Sequence, residues 1–178
     1  MANPSGAVSG GGVLHSNAGQ LYWWTGTTDY KLSGSPPAPY FEIVLVAGQQ
    51  TTKINTFPVM IGARSFDTTQ FPATIGTLNR YVKFIATLQN TAGATKTTVS
   101  LYDVRNAVTV TGTSMDNSGS VSMVLPYDVT SGVLTLGTAS GNIRTDSAGM
   151  YEVQLQMVGG TSSDASTCSN ARLIVYYV

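Results

Sequence analysis

Two stretches of this chain alternate apolar and polar side chains with a strict period of two. From Arg80 to Leu88, Val82, Phe84, Ala86 and Leu88 take one face, while Tyr81, Lys83, Ile85 and Thr87 take the other. From Met150 to Val158, Tyr151, Val153, Leu155 and Met157 share a face, and Glu152, Gln154 and Gln156 oppose them. That period belongs to a half-buried β-strand; wound into a helix, the same residues would scatter around the axis. The material for surface helices is also missing. Two Glu and four Lys stand against 24 Thr and 18 Ser, and only 10% of the chain is charged. Glu, Lys, Ala and Leu fill exposed helix faces, whereas Thr, Val, Tyr and Ile suit a pleated surface. The chain reads as all-β.

Other segments fit the same pattern. Phe41-Glu42-Ile43-Val44-Leu45-Val46 is nearly continuous in apolar residues and reads as a strand covered on both faces. Thr56–Ile61 is a shorter strand, and Pro58 assigns it to a sheet edge or a strand start. Arg64–Leu78 reads as a polar connection. Thr97–Val104 follows Arg80–Leu88 across a turn at Asn90 and Gly93, so the pair reads as a hairpin. Short strands are expected at Ala107–Thr111, Ser120–Leu125 and Gly132–Leu136, a polar loop at Gly159–Asn170, and a closing strand at Ala171–Val178. Eight to ten strands in one domain, joined by turns and without a visible repeat, predict an antiparallel jelly roll or β-sandwich. Residues 1–20 are glycine-rich and carry no charged side chain. Such a segment buries too little apolar surface to offset its ordering entropy. It reads as an extended, flexible N-terminal arm ahead of a single domain over 21–178.

The chemical inventory is sparse. One His, His15, falls in the predicted arm, and one Cys, Cys168, excludes an intrachain disulfide and reads as a small buried residue. Glu42 and Glu152 are the only Glu pair that could flank a glycosidic bond, and both read as solvated strand residues. Asp116-Asn117-Ser118-Gly119 has the outline of a calcium loop without its distal Glu and reads as a turn. No catalytic, cofactor-binding or metal-binding residue is therefore assigned, and no enzyme activity is expected. Nine basic and nine acidic side chains balance, which gives no excess positive charge for nucleic acid. No apolar run is long enough for a membrane span, and the N-terminus lacks the basic and apolar regions of a secretory leader. Leu21-Tyr22-Trp23-Trp24 holds both tryptophans. Adjacent residues on a strand face opposite ways, so Tyr22, Trp23 and Trp24 are candidate interface residues.

The pairs Tyr81-Val82-Lys83-Phe84-Ile85-Ala86-Thr87-Leu88 and Val99-Ser100-Leu101-Tyr102-Asp103-Val104, followed by Val110-Thr111-Gly112-Thr113, carry a resemblance. Met150-Tyr151-Glu152-Val153-Gln154-Leu155 and Ala171-Arg172-Leu173 extend it over roughly residues 40–178. The pattern resembles small β-sandwich proteins of tailed bacteriophages and prophages, of the capsid decoration (cement) or fibre type. The resemblance implies a homotrimeric jelly roll, made in the host cytoplasm and seated on the virion surface. There it would bind and stabilise the lattice of the major capsid protein. An alternative remains: a tail-fibre, receptor-binding or carbohydrate-binding module with a glycan as partner.

Overall fold

The computed structural model describes residues 13–17, 20–24, 29–31, 39–54, 56–91, 96–117 and 126–178. The chain divides into two compact units, residues 1–39 and 40–178. In the first, β1 (Val13–Asn17), β2 (Gln20–Trp24) and β3 (Asp29–Lys31) form an antiparallel sheet in the order β1-β2-β3. Thus β1 lies within the segment expected to be an arm. Leu21–Trp24, expected to open the sandwich, is the central strand of this separate sheet. The boundary between the two units falls at Pro39.

The second unit is an antiparallel β-sandwich with ten strands among its described residues. They are β4 (Tyr40–Thr52), β5 (Val59–Phe66), β6 (Thr74–Ile75), β7 (Leu78–Asn90) and β8 (Lys96–Asp103), then β9 (Val108–Thr109), β10 (Met115–Asp116), β11 (Tyr127–Thr130), β12 (Gly149–Val158) and β13 (Ser166–Tyr177). One sheet runs β11-β7-β13-β4, with β6 attached to β7. The other runs β10-β8-β12-β5, with β9 attached to β8. Leaving aside the two-residue β6 and β9, the chain crosses between sheets at nearly every step, with β8 and β10 together as the exception. This is the eight-stranded, double-sheet path of a jelly roll. Among the described residues the helical content is one 3₁₀ turn, Thr68–Gln70, whose first residues are capped by the Asp67 carboxylate accepting from Thr69 N–H at 2.9 Å.

Both alternating stretches sit as their periodicity requires. Val82, Phe84, Ala86 and Leu88 on β7 are fully buried, as are Tyr151, Val153 and Leu155 on β12. Each large apolar side chain removed from water in this way contributes about 1.5–3 kcal/mol. β7 and β8, however, do not form a hairpin. β7 pairs with β13 and β11, whereas β8 pairs with β12, β9 and β10 in the opposite sheet. Their apolar faces meet across the core instead of lying side by side. Alternation determines which face of a strand is buried, not which sheet it joins. Gly132–Leu136, expected to be a strand, is irregular; Leu136 forms only an isolated bridge to Ile143. The expected strand at Ser120–Leu125 lies outside the described residues.

The two long sides of the sandwich differ. On one side the edge strands β4 and β5 close against each other. Gly62 on β5 faces β4 so closely that a Cβ there would stand 2.7 Å from Val46 Cγ2 and 2.8 Å from the Leu45 carbonyl oxygen. Arg64 on β5 donates to the Val44 carbonyl at 2.8 Å and so occupies an acceptor of the β4 edge. Capping an edge in this way blocks pairing with foreign strands. β5 begins directly after Pro58 and is the edge of its sheet, the position that proline allows. β4 is also an edge strand, which explains why Tyr40 and Phe41 are exposed although the run Phe41–Val46 reads as doubly covered. On the other side lie β10 and β11, two and four residues long, with a groove between their described residues.

Buried polar groups tie the sheets together near that open side. Asn117 Oδ1 accepts from Thr97 N–H at 2.9 Å, and Asn117 Nδ2 donates to Asn90 Oδ1. Thr97 Oγ1 donates to the Gln89 carbonyl at 3.1 Å and shares a hydrogen bond with Ser166 Oγ at 2.8 Å. The network therefore links β7 and β13 to β8 and to the residue after β10.

Candidate functional site

The groups that could in principle carry chemistry are dispersed. Glu42 projects from the outer face of β4, since its neighbour Ile43 packs on the core. Glu152 projects from the outer face of β12, since Tyr151 and Val153 are fully buried. The two carboxylates thus leave opposite faces of a sandwich whose sheets alone stand about 10 Å apart. A glycosidase pair needs a separation of about 5–9.5 Å across one cleft, and this pair does not supply it. Cys168 is fully buried. Burial pushes its thiol up to about 11, and the S–H donates to the Asn170 carbonyl at 3.2 Å. A thiol held protonated is a poor nucleophile. His15 lies on β1, in register with Tyr22. Of the Asp116-Asn117-Ser118-Gly119 cluster, Asp116 is on β10, 3.7 Å from the Lys96 ammonium, and Asn117 turns into the core network, while Ser118 and Gly119 lie outside the described residues. Among the described residues, no cluster of three or more His, Cys, Asp or Glu could hold a metal.

The candidate interface residues Tyr22, Trp23 and Trp24 are brought together on β2. Their backbone partners are His15, Leu14 and Val13 on β1, and Lys31, Tyr30 and Asp29 on β3.

Surfaces of the sandwich offer three further features. The first is the outer face of the β11-β7-β13-β4 sheet. Arg172 on β13 reaches Glu42 at 3.6 Å and Asp128 at 3.7 Å, so one guanidinium spans the sheet from edge to edge. Tyr81 and Tyr176 stack at 5.7 Å, with the Lys83 ammonium 5.5 Å above the Tyr176 ring. Tyr40 donates to the Glu42 carboxylate, and this hydrogen bond to an anion is the main reason its phenol titrates above the usual value. Such half-exposed pairs hold strand register more than they stabilise the fold.

The second feature is apolar. Ile54 and Phe57 in the β4–β5 connection, Met60 on β5 and Val158 at the end of β12 are all exposed. Met157 N–H donates to the Ile54 carbonyl at 3.3 Å, and Met60 pairs with Gln154, so Ile54, Met60 and Val158 lie along the second half of β12. Scattered exposed apolar residues are ordinary; several close together are the kind of surface a partner covers.

The third is an open groove of about 650 Å³ between β10 and β11. Ser114, Met115 and Asp116 form one wall, with Thr98 of β8 beside them. Tyr127, Asp128, Val129 and Thr130 form the other. The sequence reading missed this groove, although Pro126 followed by the alternating Tyr127-Asp128-Val129-Thr130 was a usable strand signal.

No family model matches the sequence, and no curated protein matches it. Among solved structures, the Gx strain of infectious bursal disease virus aligns with a TM-score of 0.47 at 10% identity, over 84% of this chain and 34% of that one. The VP2 subviral particle of infectious bursal disease virus aligns with a TM-score of 0.45 at 12% identity, over 84% and 35%. The T13 viral particle of the same virus gives 0.40 at 9% identity, over 85% and 37%. The present chain spans about a third of the length of those chains.

Proposed function

We propose that this protein is a structural subunit of a virion. In the specific form we favour, it is a trimeric capsid decoration protein that binds the lattice of the major capsid protein from outside. The observation that carries this reading is the jelly roll with exposed Ile54, Phe57, Met60 and Val158 at one end. Jelly rolls are a common frame for viral capsid domains and for lectins, and an apolar end is the kind of surface that a fixed neighbour covers. A formal net charge of zero supports the same reading, since it gives a free solute little colloidal protection. The mechanism is mass action: a subunit that binds the assembled shell and not its dissociated parts stabilises the shell in proportion to its occupancy. Residues 1–20 extend that contact along neighbouring subunits, and Tyr22, Trp23 and Trp24 contribute to the trimer interface. Chemistry at Glu42, Glu152 or Cys168 has no part in this role.

The test is compositional. Mass spectrometry of purified particles from a producing culture should find the chain in fixed stoichiometry to the major capsid protein. Light scattering of the isolated chain should give a trimer at micromolar concentration. Phe57→Asp and Met60→Asp should lower its retention on particles during density centrifugation while leaving its melting temperature unchanged. A chain absent from washed particles overturns the reading.

A further inference from the structure

We infer that the outer face of the β10-β8-β12-β5 sheet packs against the same face of a second copy of this chain, with the two β12 strands antiparallel about a twofold axis at Gln154. The inference concerns contact between copies and stands whatever larger body those copies cover.

The two outer faces of the sandwich treat their polar side chains differently. On the β11-β7-β13-β4 sheet, Tyr40, Glu42, Arg172, Asp128 and Thr87 form one connected set. Lys83 lies over the Tyr81–Tyr176 stack beside them. On the other sheet, register places Ser100 and Tyr102 of β8 next to Gln154 and Glu152 of β12. All are half-buried, yet among the described residues none of the four makes a side-chain hydrogen bond or ion pair. A partner that covers this face has to supply donors and acceptors in a matching pattern.

A second copy supplies them. Met150, Glu152, Gln154, Gln156 and Val158 project outward from β12, with exposed apolar residues at both ends and Gln154 at the centre. Turned end for end about an axis that crosses the strands at Gln154, the row meets itself, Met150 over Val158 and Glu152 over Gln156. A side-chain amide both donates and accepts, so Gln154 meets its counterpart without mismatch. Such self-matching is what a twofold contact requires. Glu152 is the one charged residue of the row. The same turn brings Lys96, in register with Val158 and 56% exposed, to the Glu152 end of the other copy. An axis along the strands would instead set the two Glu152 carboxylates face to face. Sheets pack in this manner about 10 Å apart. The face is about 30 Å long, the span of the ten-residue β12, and about 15–20 Å across its four strands. Covering it on both copies removes roughly 1,000 Å², the lower bound of a specific interface. The pairing therefore belongs to high concentration or to an assembly.

The test uses the full chain. In a Cys168→Ala background, Gln154→Cys sets one thiol on the axis, and a short bismaleimide should link copies in pairs through it. Lys83→Cys, on the outer face of the opposite sheet, should give no linked pairs under the same conditions. Sedimentation equilibrium at submillimolar concentration should show parental pairing weakened tenfold or more by Gln154→Lys, which sets two ammonium groups against each other. Lys83→Glu should leave it unchanged. Should Gln154→Lys misfold, the linkage pattern of the two cysteine variants gives the answer by itself. Absence of linked pairs from Gln154→Cys overturns the inference. So does equal linkage from Lys83→Cys, or pairing undiminished in a folded Gln154→Lys variant. A trimer in light scattering, or its absence, leaves these outcomes unchanged, since the capsid reading assigns that contact to Tyr22, Trp23 and Trp24.

Discussion

Replacing Gly62 by Ala probes the closed side of the sandwich with a single methyl group. That carbon would stand 2.7 Å from Val46 Cγ2 and 2.8 Å from the Leu45 carbonyl oxygen. Ordinary carbon contacts sit at about 3.5–4.0 Å, so about 1 Å must be found. Val46 is buried and β-branched, with little rotamer freedom to yield. The Leu45 oxygen is backbone and moves only with β4. Edge strands β4 and β5 must therefore separate, and inserting one methyl group into such a contact costs about 1–3 kcal/mol. For a domain of this length, 1 kcal/mol lowers the midpoint by about 3 °C, so a drop of about 3–10 °C is expected. The assay is thermal unfolding followed by circular dichroism. Gly132→Ala is the matched control. A Cβ at Gly132 meets no atom within 4 Å, so it should hold the midpoint or raise it slightly by narrowing the unfolded ensemble. If the two variants melt within a degree of each other, the two edges are not in contact and the account of the closed side is wrong.

Three other outcomes follow from the same coordinates. Asn117→Ala removes the acceptor of Thr97 N–H and a donor to Asn90, and it should cost about 1–3 kcal/mol in urea denaturation; an unchanged midpoint would remove the inter-sheet network from the stability argument. The Cys168 thiol titrates at about 11 in the fold against its ordinary 9.0. A group raised on folding contributes fully below its unfolded value and loses that contribution as pH climbs through the folded one, so stability should fall by about 2–3 kcal/mol between roughly pH 9 and 11. Cys168→Ala should flatten that part of the pH profile, and the native thiol should resist maleimide at pH 8 until the chain unfolds. Glu42→Gln and Glu152→Gln should each change stability by no more than about 0.5 kcal/mol and leave particle attachment intact; loss of a hydrolytic activity on either change would refute the structural reading.

The buried faces of this fold were legible because a period of two is a local signal. Phe84 and Leu101 declare which way they face through neighbours one residue away. Pairing partners are a different matter. Strands β7 and β8 are adjacent in sequence and strongly apolar on one face, the very features of a hairpin. Their assignment to opposite sheets is decided by β13, which runs between β7 and β4 from the far end of the chain. In a jelly roll almost every pairing is of this long-range kind, so sequence adjacency misleads where burial does not. The exposed start of β4 shows the same limit. Phe41–Val46 has the composition of a covered strand, and only its place at a sheet edge leaves Tyr40 and Phe41 in contact with solvent.

The groove was illegible for a related reason. Asp116 and Asp128 are each unremarkable in sequence, one in a turn-like cluster and one after a proline. Their strands, β10 and β11, come to border one groove because they are edge strands of two different sheets, while the two side chains, opposite Thr98 and Thr87, leave opposite outer faces. Closure on the opposite side depends on Gly62 and Arg64, which read in isolation as a small residue and a solvated charge. A jelly roll with both sides closed in that way would lack such a groove, and one with both sides open would expose two long edges to association. The asymmetry leaves the short β10 and β11 edges bordering a groove while the longest edge strand, β4, is met by Arg64.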